Sequence, residues 1–326
     1  MMEILNIQPI QSNKMSFIQL ICVLMLHLCV AFQIQAQETN NNMEKYMVKE
    51  VCMACHKDLY DKMSTNTHWR AHTGQITDGD NPCLSCHGDA VQHVIEGLGS
   101  KSPGLVTFGW SASSDTGTQN KACLNCHTDT GRIHWQDSIH YTEDISCTQC
   151  HFIHQPDKVR EKKSEADICY RCHQIVRGEM HKPYTHPVLA EKLSCSDCHE
   201  AHGSLGPTQL KQFTLNETCT NCHADKRGPF LWEHEPVSED CTLCHNAHGS
   251  IHPGMLTKRK PHLCQSCHQP NAEFAARHAR RPLGYWEPTS GPPIENVNRL
   301  VLGDSCMHCH VQVHGSNHPS GAKFMR

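Results

Sequence analysis

Apolar residues are spread thinly along this chain of 326 residues, and only one run of them is sustained, LICVLMLHLCVAF from Leu20 to Phe32. It is preceded by Lys14 and followed by the small residue Ala36. A run of that length suits the apolar region of a secretory signal and falls short of the roughly 20 residues a membrane span needs. The pattern predicts a leader over 1–36, cut after Ala36, with an uncleaved inner-membrane anchor as the alternative. Nothing after Phe32 is apolar for long enough to span a bilayer as a helix. The 20 glycines and 17 prolines break up what remains, so short helices and irregular loops with almost no sheet are expected.

Composition makes this thinness a problem for folding. Aromatic residues are 6% of the chain and its mean hydropathy is −0.53. Such a chain cannot bury enough apolar surface to offset its conformational entropy, so it is either disordered or held by something other than side chains. The 22 cysteines and 28 histidines favour the second. A formal charge of −4 gives no basic excess of the kind that marks nucleic-acid binders, and that partner class is set aside.

Cys22 and Cys29 fall in the leader. Every other cysteine belongs to a C-x-x-C pair, and every pair is followed at once by histidine. The ten blocks, numbered in chain order, are Cys52, Cys55, His56; Cys83, Cys86, His87; Cys123, Cys126, His127; Cys147, Cys150, His151; and Cys169, Cys172, His173. Then come Cys195, Cys198, His199; Cys219, Cys222, His223; Cys241, Cys244, His245; Cys264, Cys267, His268; and Cys306, Cys309, His310. Two thiols at this spacing can form thioethers to the two vinyl groups of one haem, and the adjacent histidine then reaches its iron. At the histidine frequency of this chain, ten chance histidines after ten pairs have a probability on the order of 10⁻¹¹. Zinc knuckles do not require those histidines, thioredoxin-like pairs would each need a βαβ frame, and disulfides alone leave the histidines unexplained. Ten covalently bound haem c groups are expected.

Whether the opposite side of each iron is filled separates electron carriers from enzymes. Histidine is in good supply, while few methionines lie clear of the blocks. Pairing the blocks in order, one histidine lies between the two of each couple and another follows the second. These are His72 and His93, His140 and His154, His186 and His202, His234 and His248, and His278 and His314. His68 lies on the same helical face as His72, and His318 lies near His314, so those two choices stay open. The inner couples recur every 46 to 50 residues, the signature of a repeat array.

The order of the blocks, the stretch RGPFLWEHEPVSEDCTLCHNAHGS at Arg227–Ser250 and the ending CMHCHVQVHGSNHPSG at Cys306–Gly321 resemble the periplasmic decahaem cytochromes of the MtrA/DmsE/PioA family. The resemblance implies a multihaem cytochrome c, with short helices and irregular loops wrapped around an elongated chain of ten haems. It implies two pentahaem halves, taken here as 37–180 and 181–326. In that family the haems are bis-histidine, and the match carries distal-ligand roles onto the ten histidines above, except that AHTG at His72 departs from the usual histidine-glycine. It also implies an outer-membrane β-barrel porin as partner, a place in the periplasm at the outer membrane, and exchange with periplasmic donor or acceptor cytochromes and an extracellular multihaem cytochrome. An electron-transfer protein with no catalytic residue is expected. A free periplasmic shuttle is the alternative. A multihaem reductase would need an open iron, and there is neither a C-x-x-C-K block nor a shortage of histidine.

Overall fold

The computed structural model describes residues 25–26, 49–73, 81–97, 104–268, 306–319 and 321–325. The leader, apart from residues 25–26, and His278 lie outside them. The chain divides into two compact units, Met1–Thr107 and Phe108–Arg326.

The first unit holds α1 (Lys49–Met63), α2 (Thr67–Thr73), α3 (Leu84–His87) and α4 (Val91–Glu96). Ala90 and Val91 form its small core, with Val51, Leu84 and Leu105 packed against them. In the second unit the helices are α5 (Thr116–Leu124), α6 (Ile139–Thr142), α7 (Cys147–Cys150), α8 (Lys162–Cys169), α9 (Gln174–Met180), α10 (Cys195–Cys198), α11 (Leu215–Thr220), α12 (Glu235–Glu239) and α13 (His262–Gln265). Tyr170, Met180 and Val188 form a core cluster there, with Ala166, Val176 and Leu193. Among the described residues there are isolated bridges but no strand, and no helix is long and apolar enough to cross a membrane. Short helices and irregular loops are what the sequence predicts.

Local chemistry places each helix. The Asp115 carboxylate accepts the Thr118 backbone N–H at 2.9 Å and starts α5, and the Thr118 hydroxyl, together with that N–H, holds its carboxyl below the usual range. Thr214 and Glu217 form a capping box that starts α11. Both helices end on an odd-numbered block, at Cys123 and Cys219, as α8 does at Cys169 and α13 at Cys264. Even-numbered blocks are built in the opposite sense. Cys147 and Cys195 begin the one-turn helices α7 and α10, and Cys241 and Cys306 begin 3₁₀ turns.

A side chain from the preceding odd block caps each inner even turn. Asn120 Oδ1 accepts the Cys147 N–H at 2.8 Å, Glu165 Oε1 accepts the Ser196 N–H at 3.0 Å, and Asn216 Oδ1 accepts the Cys241 N–H at 2.9 Å. Asn120 and Glu165 are buried, so these bonds replace water that cannot reach the turn. The repeat seen in the sequence is thus a physical unit, a helix ending in one block and stapled to the start of the next.

Candidate haem sites

In every block from the second to the tenth, the histidine N–H donates to the carbonyl of the first cysteine at 2.8 to 3.0 Å. That single turn brings two thiols and one imidazole to the same place. After α7 and α10, His151 and His199 adopt extended backbone angles, which ends the turn and swings the ring away from it. The twenty cysteines of the ten blocks are free of disulfides, as thioether attachment requires. Among the described residues no group of three or more His, Cys, Asp or Glu side chains is arranged to hold a metal ion.

The first cysteines of neighbouring blocks stand close to one another, from an odd block to the next even one: Cys52 by Cys83, Cys123 by Cys147, Cys169 by Cys195, Cys219 by Cys241, and Cys264 by Cys306. Burial pushes the half-buried Cys150 and Cys244 thiols up.

The imidazoles come together in couples. The pairs are His56 with His93, His140 with His173, His151 with His202, His186 with His223, His199 with His248, His234 with His268, and His245 with His314. Their ring centroids are 5.9 to 6.3 Å apart. An imidazole nitrogen ligates a metal at about 2 Å, so two rings bonded to one metal from opposite sides have centroids roughly 6 Å apart. Each couple contains one block histidine and one of the histidines expected as distal ligands. The spacing therefore fits a bis-histidine iron and is too wide for stacking rings in contact.

The couples cross between repeats in two patterns. A histidine before an even block faces the histidine of the next odd block, as His140, His186 and His234 do. A histidine after the sixth, eighth or tenth block reaches back two blocks, so His202, His248 and His314 face His151, His199 and His245. His314 faces His245 at 6.1 Å, while the backbone N–H of His318 donates to Ser316. His68 and His72 both lie on α2, and His154 is half-buried in the loop after α7.

The outer nitrogens are also held. Nδ1 of His140, His186 and His234 bonds the carbonyls of Ala201, Ala247 and Val313 at 2.8 to 2.9 Å. Each carbonyl belongs to the residue just before His202, His248 or His314, so one turn supplies a ring to one couple and orients a ring of another. Nδ1 of His87, His199 and His245 bonds the carbonyls of Val106, Thr208 and Gly254 at 2.7 to 3.1 Å, and His310 bonds that of Lys323. Donation from Nδ1 leaves Nε2 as the lone pair a metal needs. Burial pushes the values of His87, His202, His248 and His314 below the ordinary imidazole range, which keeps them neutral. Among the described residues Nδ1 of His93 is buried with no hydrogen-bond partner.

Glycines let the distal turns close. Gly203, Gly249 and Gly315 directly follow His202, His248 and His314, at φ of +97°, +144° and +128°. A Cβ on them would strike the His134 carbonyl, the Glu179 carbonyl and the Phe230 ring. The residues present thus fit haem, with paired thiols to attach it and opposed imidazoles for its iron.

Comparison with known proteins agrees with this chemistry. Residues 186–228 and 234–273 match the doubled CXXCH motif, and residues 83–165 match the cytochrome c-type protein NrfB-like family. The chain is 27% identical to the cytochrome c-type protein NrfB of Haemophilus influenzae over 154 residues, 41% of this chain and 66% of that protein. It is 41% identical to the multiheme cytochrome MtrA of Shewanella baltica over 281 residues, 84% of this chain and 80% of that protein. With CXXCH blocks that attach haem c covalently and a relative aligned over most of both chains, this chain belongs to the MtrA family of multihaem c-type cytochromes.

Proposed function

We propose that this chain is a ten-haem conduit that carries electrons between the periplasm and the cell exterior, seated in an outer-membrane β-barrel porin. The observation that carries the reading is the set of seven couples in which a histidine outside the blocks faces a block histidine, with ring centroids 5.9 to 6.3 Å apart, each couple able to take one iron between its rings. When bound, haem supplies one-electron iron chemistry, and a protein imidazole on each side of the iron leaves no position for a substrate.

The chain's own part is attachment, ligation and insulation. The twenty block cysteines attach, and the block histidines supply the proximal nitrogens. Distal nitrogens come from His93, His140, His186, His202, His234, His248 and His314, with His72, His154 and His278 completing the set. The leader directs the chain to the periplasm, and each half, 37–180 and 181–326, carries five blocks. An array of ten macrocycles exceeds the roughly 30 Å apolar thickness of a bilayer. The polar polypeptide around it cannot face lipid, so a barrel must surround it. Partners at its two ends are periplasmic donor or acceptor cytochromes and an extracellular multihaem cytochrome.

Fractionation of cells producing the holoprotein tests the conduit. Co-purification from outer membranes with a large β-barrel is expected, and recovery wholly in the soluble periplasmic fraction with no such partner would overturn it in favour of a free shuttle. Haem content per chain tests the count of ten. His248→Ala tests ligation, because it should turn one iron high-spin with the haem count unchanged.

A further inference from the structure

The internal repeats act as controls for one another, and one of them departs from the pattern. After the sixth and eighth blocks the chain runs out and returns in the same register. The residue after the histidine donates its N–H to a returning carbonyl, Glu200 to Gln209 at 2.7 Å and Asn246 to Met255 at 2.8 Å. Histidine Nδ1 takes the neighbouring carbonyl, of Thr208 or Gly254. The fourth block has no such return loop. Its sequence HFIHQPD is cut short, and a single carboxylate does both jobs. Asp157 Oδ2 lies 2.7 Å from Nδ1 of His151, and Asp157 Oδ1 accepts the N–H of Phe152 at 3.2 Å.

The ring facing His151 has a carboxylate as well. Glu200 Oε1 is 3.1 Å from Nδ1 of His202, and it also accepts that residue's backbone N–H at 3.3 Å. The position equivalent to Glu200 after the eighth block is Asn246, which carries no charge. There the nearest carboxylate, Glu179, stands 3.6 Å from Nδ1 of His248 and is also engaged by Asn246 and Lys182. In the couple of His245 and His314 the charged neighbours of His314 include the Lys226 cation, itself paired with Asp225. The charged neighbours of His202 include the Arg132 cation, which is paired with Asp129 at 3.0 Å. Among the seven couples, this is the one with a carboxylate on both outer nitrogens.

A carboxylate on Nδ1–H pulls the proton outward and makes the imidazole a stronger donor, which favours the more positive iron. We infer that Asp157 and Glu200 hold the iron between His151 and His202 at the lowest reduction potential of the seven couples, so that it is the highest step an electron crosses among them. They are positioning residues, acting on the iron through the rings. The inference rests on the proposed bis-histidine ligation.

Redox titration of the full-length holoprotein by haem absorbance, with low-spin signals followed by electron paramagnetic resonance, tests it. Asp157→Asn and Glu200→Gln should each raise one and the same low-potential component at least tenfold in reduced-to-oxidised ratio at fixed potential, about 59 mV for one electron. Haem content and the low-spin count should not change, Asp157→Glu should restore the wild-type curve, and Glu179→Gln should leave that component in place. His202→Met changes the ligand itself and must move the same component if the ligation is right. Movement in His202→Met with none in Asp157→Asn and Glu200→Gln would overturn the carboxylate role alone. No movement in any of the three would overturn the ligation on which it rests.

Discussion

Replacing Gly249 by alanine should both destabilise the second unit and unseat a haem ligand. The residue sits at φ +144°, directly after His248. Its added Cβ would strike the Glu179 carbonyl and lie 2.7 Å from Thr185 Cγ2. That carbonyl is in the last turn of α9 and already accepts the Lys182 N–H at 3.0 Å, so it cannot swing aside cheaply. Forcing a non-glycine residue to positive φ costs about 1–2 kcal/mol, and overpacking against backbone adds about 1–3 kcal/mol. The expected loss is about 3 kcal/mol, or about 6–12 °C in melting temperature for a unit of this size. Relief by backward movement of the turn would draw His248 from His199, which it faces at 6.1 Å. Thermal melts of the holoprotein should show the drop, and resonance spectra should show a growing high-spin fraction. Gly178, inside α9 with nothing within 4 Å of its added Cβ, is the control and should gain up to about 1 kcal/mol as alanine. If Gly249→Ala melts within a degree of wild type with every iron low-spin, the close-approach reasoning is wrong.

Asn216→Ala should cost about 1–3 kcal/mol, because it strips the acceptor from the Cys241 N–H and the donor to the Val237 and Ser238 carbonyls; a denaturation midpoint measures it. The Asp197 carboxyl is held below its ordinary value by the Ser194 N–H, with help from Lys162, so its stabilisation is present above about pH 4 and is lost as pH falls through the depressed folded value. Asp197→Asn should flatten the acid side of the stability curve in that window. The ring planes predict two kinds of low-spin signal. His140 with His173 and His186 with His223 are crossed at 68° and 51° and should give highly anisotropic signals, whereas His151 with His202 at 11° should give an ordinary rhombic one. A powder spectrum without the anisotropic class would contradict the crossed geometry.

What was legible beforehand follows the range over which each interaction acts. Thioether attachment and proximal ligation are local and covalent, so spacing alone locates the ten blocks. Distal candidates could be chosen by counting histidines around each couple of blocks, and seven of those chosen stand opposite a block histidine. The identity of each opposite number was hidden, because His202 reaches back past a whole block to His151 and His140 forward to His173. Such crossings depend on how repeats interlock, and no local propensity encodes them. Asn120, Asn216 and Glu165 were missed altogether. A signal for two of them was present in the repeated Asn three residues before Cys123 and Cys219, but asparagine at that place has no meaning until the next block's bare N–H is seen above it. Asp157 was missed for a related reason, since a carboxylate standing in for a missing loop shows itself only beside the repeats that keep the loop.

The same structure argues that the polypeptide alone does not fold. Buried apolar side chains among the described residues are few: Ala90 and Val91 in the first unit, and Trp135, Ile168, Tyr170, Met180, Val188, Leu210 and Leu256 in the second. Large apolar side chains such as Ile133, Ile175, Leu205 and Phe213 are instead mostly exposed. Hydrophobic burial is the main force that opposes chain entropy, and a domain of ordinary composition commits most of its Leu, Ile, Val and Phe to it. Here many of the half-buried positions are instead thiols and imidazoles, which are costly to cover without partners. Covalent haem satisfies both at once, supplying vinyl groups for the thiols, iron for the nitrogens and a flat apolar body for the space between. The mature chain made without haem attachment, or with both cysteines of several blocks changed to serine, should therefore lack native helical circular dichroism and a cooperative melt, and should be degraded rapidly by protease. Loss of one inner haem, by Cys195→Ser with Cys198→Ser, should weaken the neighbouring repeats as well, because the turn after that block carries His202 to His151 and its Ala201 carbonyl orients His140. A haem-free chain with a sharp cooperative transition would show that the polypeptide has a core of its own.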